Sequence, residues 1–179
     1  KTGVEFRGGK GNLYEGGLRI PYLVRWPCKI TAGRVSDHLF AQIDVFPKLS
    51  ELTGAEEPDD LDGISFLPEL MGKEQAKHEY LYWEYGSQVA VRVGNWKAIQ
   101  PKQDKPWELY DLSKDVSEAN DVAGENPDML AKLQAYATEA HTEERPGTYS
   151  DPDRKRHERD RWAKWGTADD RPAPKKKKK

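Results

Sequence analysis

The sequence predicts an α/β chain, and three observations carry that prediction. An apolar, strand-like run is followed by a helix with a clear start and stop. A later stretch alternates as strands do and turns at Gly-Asn. A last amphipathic helix follows Asn-Pro-Asp.

The first pair lies in residues 1–72. Leu18-Arg19-Ile20-Pro21-Tyr22-Leu23-Val24-Arg25-Trp26 is rich in β-branched and aromatic residues and reads as a largely buried strand ended by Pro27. Pro47 cannot sit deep in a helix, so a helix should begin close before it, with Asp44 as the cap accepting first-turn N–H bonds. Phe46, Leu49 and Leu52 give that helix one apolar face, and Gly54 stops it. A short helical turn is expected over Phe66 to Met71.

Beyond Lys73 the composition changes, and residues 73–145 read as a small antiparallel α+β subdomain. Strands are expected over Tyr80–Tyr85, over the half-buried alternation Val89, Val91, Val93, over Trp96–Ile99 after Gly94-Asn95, and over Trp107–Leu112. Asn126-Pro127-Asp128 caps a helix whose apolar stripe is Leu130, Leu133, Tyr136, Ala137 and Ala140. Residues 146–179 read as a charged, Lys-rich, disordered tail.

Charge narrows the function. The 179 residues carry a formal net charge of -2, yet residues 154–179 alone hold 12 Lys/Arg against 4 Asp/Glu. An acidic body with a basic tail argues against a nucleic-acid-binding domain, which would place its cations on a folded face. No apolar run reaches the roughly 20 residues of a membrane helix. The 10% aromatic content, with 6 Trp and 8 Tyr, requires a packed core. The one cysteine, Cys28, excludes an internal disulfide framework and a cysteine zinc site.

Six of the 15 glycines fall in the first 17 residues, and Lys10 lies among them in Arg7-Gly8-Gly9-Lys10-Gly11. This is not a Walker loop, because Val4 stands six before Lys10 and Gly11 replaces the magnesium-binding Ser/Thr. A lysine among glycines can still meet an oxyanion, since bare backbone permits close approach and the ammonium supplies charge.

The run Arg7-Gly8-Gly9-Lys10-Gly11-Asn12-Leu13-Tyr14-Glu15-Gly16-Gly17-Leu18-Arg19-Ile20-Pro21 closely resembles the late active-site segment of type I, arylsulfatase-like sulfatases of the alkaline-phosphatase superfamily. The likeness continues through Val24-Arg25-Trp26-Pro27, Asp44-Val45-Phe46-Pro47, Leu61-Asp62-Gly63-Ile64-Ser65, Tyr82-Trp83-Glu84, Val91-Arg92-Val93-Gly94-Asn95-Trp96-Lys97 and Glu108-Leu109-Tyr110-Asp111-Leu112. It covers about residues 5–142.

The resemblance implies that residues 1–72 end a large mixed sheet flanked by helices, with the antiparallel module against it. It implies a sulfuric ester hydrolase acting through a formylglycine nucleophile and a calcium ion, both supplied upstream of this chain, so that the fragment alone is inactive. Lys10 is the position matching the lysine that binds a sulfate oxygen and stabilises charge on the departing group. Trp83 and Glu84 match a strand near the cleft rim, Trp83 chiefly as packing and Glu84 as a contact for sugar hydroxyls. The implied partner is a sulfated small molecule or polysaccharide, and the implied location is periplasmic, secreted or otherwise extracytoplasmic.

Cys28 is not the formylglycine precursor, since Ile30 and Ala32 stand where that motif has Pro and Arg. By resemblance Cys28 replaces a turn glycine. Glu15 and Arg19 read as a scaffold ion pair. His38, His78, His141 and His157 lack metal-ligand spacing, and Asp59, Asp60 and Asp62 lack the order of a calcium loop. Two other readings stand beside the sulfatase: a phosphate-ester hydrolase of the same superfamily, and a non-catalytic carbohydrate-binding module.

Overall fold

A computed structural model of the chain describes residues 5–143. The tail expected over 146–179, with His157, lies outside the described residues. Residues 5–141 belong to one compact unit, Lys1–His141. Its elements are α1 (Glu15–Leu18), a 3-10 turn (Gln42–Asp44), α2 (Val45–Thr53), α3 (Leu67–Leu70), strands β1 (Leu81–Tyr85), β2 (Gln88–Val93), β3 (Trp96–Gln100) and β4 (Glu108–Asp111), and α4 (Pro127–Ala140).

The four strands form one antiparallel sheet in sequence order. Both tight hairpin loops place glycine first: Gly86 before Ser87 and Gly94 before Asn95, with φ of +61° and +56°. Those turns fix the register, pairing Trp83 with Ala90 and Val91 with Ala98, while β3 and β4 pair Lys97 with Tyr110. Because side chains alternate across a strand, the register sorts them onto two faces. On one face Val91, Ala98 and Leu109 pack against Leu133 and Ala137 of α4. On the other, Ala90, Ile99 and Tyr110 pack against Leu13, Tyr14 and Leu112, with Leu18 and Trp83 beside them.

That second face corrects the expectation of a half-buried β2. Val91 and Ala90 are both completely buried, because the glycine-rich segment covers the side that alternation alone assigns to solvent. The α4 stripe is as expected at Leu133 and Ala137. Its cap differs: the Asn126 amide donates to the Val122 carbonyl rather than accepting from the helix.

Two further expectations are corrected in residues 18–54. Leu18 ends α1, and residues 19–26 are not a buried strand: Ile20 is 73% exposed and Leu23 94%. A strand needs a neighbour for its N–H and C=O groups, and no strand pairs with this segment among the described residues. The α2 helix starts beside Pro47 and stops at Gly54 as expected, but Asp44 does not cap it with its side chain. The Asp44 carboxylate instead accepts the Ala41 N–H at 2.7 Å and the Ile64 N–H at 2.8 Å, and meets His78 Nε2 at 2.8 Å. It staples three loops rather than one helix end. The α2 apolar face remains open, with Phe46, Leu49 and Leu52 exposed. A small aromatic cluster, Tyr22, Phe40 and Phe66, anchors this part, with the Phe40 and Phe66 rings stacked at 4.4 Å.

Candidate sulfate site on the glycine-rich loop

The loop between Phe6 and α1 lies on the sheet face opposite α4, and it is held at three places. Arg7 anchors the start. Its guanidinium lies 4.1 Å above the Tyr14 ring and donates to the Tyr110 hydroxyl at 2.6 Å and to the Glu118 carbonyl at 3.0 Å. Tyr14 and Tyr110 both donate to Glu108 Oε2, at 2.7 and 2.6 Å. Burial, and then these bonds to Glu108, push both phenols well above their usual range, so both remain donors.

Gln88, at the start of β2, holds the middle. Its side-chain oxygen accepts the Leu13 N–H at 3.3 Å and its amide donates to the Gly11 carbonyl at 3.0 Å. Glu15 anchors the end. It is buried, with its carboxylate 3.0 Å from Lys97 Nζ and its N–H donating to Glu118 Oε2 at 2.6 Å. Lys97 Nζ also contacts Glu118 Oε1 at 2.8 Å. Arg19 and Arg92 approach Glu15 Oε2 at 3.6 and 3.7 Å, so the expected Glu15–Arg19 pair is present as one edge of a larger charged cluster. Burial raises the Glu118 carboxyl above its ordinary value, opposed by the Lys97 charge.

Glycine is required where the loop folds onto itself. A Cβ on Gly17 would stand 2.0 Å from the Asn12 carbonyl oxygen and 2.7 Å from that of Gly9, both backbone atoms that cannot swing away. Gly17→Ala is therefore expected to destabilise the chain by about 1–3 kcal/mol, read as a lower urea midpoint at unchanged slope. An unchanged midpoint would show that the loop does not keep this packing.

Lys10 sits at the exposed tip of this braced segment. Among the described residues it joins no ion pair. A fixed loop with an uncommitted ammonium can receive an anion without first breaking an internal contact. Trp83 packs in the cluster beneath the loop with Leu13 and Tyr14. Glu84 is its neighbour on the strand and so faces the α4 side, where it accepts from the Tyr82 hydroxyl at 2.6 Å and meets His141 Nδ1 at 3.0 Å. Those two partners, Tyr82 first, hold its carboxyl below the ordinary value. The sheet therefore places Trp83 and Lys10 on one side and Glu84 on the other.

No three His, Cys, Asp or Glu side chains converge for a metal ion among the described residues, so these side chains do not fit as a calcium site. Cys28 is exposed and adopts φ of +66°, the left-handed backbone of a turn glycine. A shallow, open depression lined by Ser87, Lys102, Gln103 and Asp104 does not include Lys10.

Lys97 and Glu118 escaped sequence reasoning. A lysine two residues before Ile99, on the same face of an otherwise apolar strand, was the available signal for the first. Nothing local marks Glu118, whose loop partners Arg7 and Glu15 lie 111 and 103 residues earlier in the chain.

The four-stranded antiparallel sheet with its flanking helices matches the fold of solved sulfatases. The chain belongs to the N-sulphoglucosamine sulphohydrolase C-terminal family, whose model matches residues 9–143. An N-acetylgalactosamine-6-O-sulfatase of Bacteroides thetaiotaomicron is 36% identical over 145 residues, covering 72% of this chain and 28% of that protein. A sulfatase structure from work on glycosaminoglycan metabolism by Bacteroides thetaiotaomicron superposes with a TM-score of 0.66 at 34% identity, over 75% of this chain and 31% of the other. A second structure, Ps i-CgsB in complex with k-i-k-neocarrahexaose, gives a TM-score of 0.69 at 27% identity, over 88% and 36%. The chain thus spans about a third or less of the length of these relatives. No helix among the described residues is long and apolar enough to cross a membrane.

Proposed function

We propose that this chain is the C-terminal part of a sulfatase that hydrolyses sulfate esters on a sulfated saccharide, and that Lys10 binds the sulfate group. The observation that carries the reading is the exposed Lys10 ammonium on a loop anchored through Arg7, Gln88 and Glu15. Cleavage of an S–O bond shifts negative charge onto the departing oxygen and redistributes it over the sulfate oxygens. A cation already in place opposes that build-up without reorganising, which is where electrostatic catalysis gains most. The relatives named as N-acetylgalactosamine-6-sulfatases support the saccharide class, while others are named steryl-sulfatases.

The formylglycine nucleophile and the calcium ion belong, in this reading, to residues outside this chain, and no step here depends on their geometry. Residues 1–72 complete the catalytic α/β domain, and residues 73–145 form the subdomain that seats the loop. The exposed side chains of Ile20, Leu23, Phe46, Leu49 and Leu52 are then the surface that the rest of that domain covers. An extracytoplasmic location follows from the same reading.

The test is release of inorganic sulfate from oligosaccharides carrying 6-O-sulfated N-acetylgalactosamine, by the enzyme that contains this chain. Sulfate release is expected, and it should vanish when the chain is removed. An enzyme that releases no sulfate from this or any other sulfated saccharide would refute the proposal.

A further inference from the structure

Glu118 lies between β4 and α4, far in sequence from the loop, yet it contacts both ends of it. Its carbonyl accepts from Arg7 Nη1 at 3.0 Å, and its carboxylate accepts the Glu15 N–H at 2.6 Å and meets Lys97 Nζ at 2.8 Å. The preceding residue extends the grip, since the Ser117 hydroxyl donates to the Glu5 carbonyl at 2.7 Å. Glu118 is fully buried and takes φ of +54°, a backbone that side-chain-bearing residues rarely adopt. Glycine would take that backbone without strain, but it would leave the Glu15 N–H and the Lys97 ammonium without a partner they now have. Strain retained at one buried residue, where three segments meet, points to a held geometry rather than a filled space.

We infer that Glu118 is a positioning residue for the sulfate site. It clamps the two ends of the loop, Arg7 and Glu15, and so fixes where Lys10 stands. The inference rests on the reading of Lys10 as the sulfate-binding lysine. The clamp itself does not. Glu118 touches no substrate, and its whole effect passes through the loop. A free loop would spread the ammonium over many positions, and each displacement from the departing oxygen weakens the stabilisation it gives.

Two measurements separate the clamp from the function. In the first, amide hydrogen exchange is followed on the full chain at residues 8–17, with β2 and β3 as the internal reference. Glu118→Gly is expected to speed exchange in the loop by about tenfold or more while the strands stay within about twofold. Glu118→Gln should restore most of the protection, because its amide oxygen still accepts the Glu15 N–H. Loop protection unchanged in Glu118→Gly would overturn the clamp, and so would loop and strands loosening together, which marks a general core residue. In the second, kcat/KM for a sulfated saccharide is measured around a double-mutant cycle in the enzyme containing this chain. Glu118→Gly is expected to lower kcat/KM about tenfold or more with Lys10 present, and by less than about twofold in a Lys10→Ala background. Equal losses in both backgrounds would overturn action through Lys10. A wild-type enzyme that releases no sulfate would instead sink the sulfatase reading, with the exchange experiment still deciding whether Glu118 holds the loop.

Discussion

Lys10→Ala, made in the enzyme that contains this chain, is expected to lower kcat/KM for a sulfate ester on the order of a hundredfold or more, the loss seen when one fixed oxyanion stabiliser is removed. The side chain is exposed at a loop tip, so thermal stability should hardly change. Lys10→Arg should rescue poorly, because a planar guanidinium does not reproduce a compact ammonium beside Gly9 and Gly11. The measurement is steady-state kinetics on purified variants with matched melting curves. Near-normal kcat/KM in Lys10→Ala, with Glu84→Ala inactive, would move the site to the other face of the sheet.

The largest stability effect should come from Lys97→Met. The ammonium is completely buried between the carboxylates of Glu15 and Glu118, at 3.0 and 2.8 Å. Removing it leaves two buried carboxylates beside each other, and breaking such a pair commonly costs about 3–5 kcal/mol. Arg92 and Arg19, farther off at 3.7 and 3.6 Å, offset only part of that repulsion. The double variant Lys97→Met/Glu118→Gln should recover much of the loss, since it removes one of the stranded charges while keeping an acceptor for the Glu15 N–H. Urea unfolding of the two variants checks this. A single variant as stable as the wild type would show that the cluster does not hold the loop to the sheet.

Local pattern made the antiparallel module legible. The alternation around Val91 marks a strand, though not the burial of its second face, and the glycine-first turn at Gly94 and the stripe through Leu133 and Ala137 state short-range preferences that the fold satisfies. Residues 19–26 misled for a physical reason: an apolar, β-branched run specifies a preference for a sheet but does not itself supply the neighbouring strand. Asp44 misled similarly. A carboxylate before a helix can serve the first turn, yet here it meets the Ile64 N–H and His78, which lie 20 and 34 residues further along the chain. Lys10, proposed here to bind sulfate, stands out in the sequence through its glycine surroundings and the family likeness. Its supports were not, because the contacts of Arg7 and Glu15 with Lys97 and Glu118 join segments 82 to 111 residues apart, and no local pattern encodes such pairs.

Whether the loop around Lys10 serves sulfate-ester hydrolysis is decided by comparing matched aryl sulfate and aryl phosphate substrates on the enzyme containing this chain. With leaving group and conditions held constant, kcat/KM for the sulfate is expected to stand at least about a hundredfold above that for the phosphate, a difference of about 3 kcal/mol in transition-state stabilisation. Lys10→Ala is expected to remove most of the sulfate rate. A preference for the phosphate ester, or a sulfate rate indifferent to Lys10, would show that the loop does not serve sulfate-ester hydrolysis.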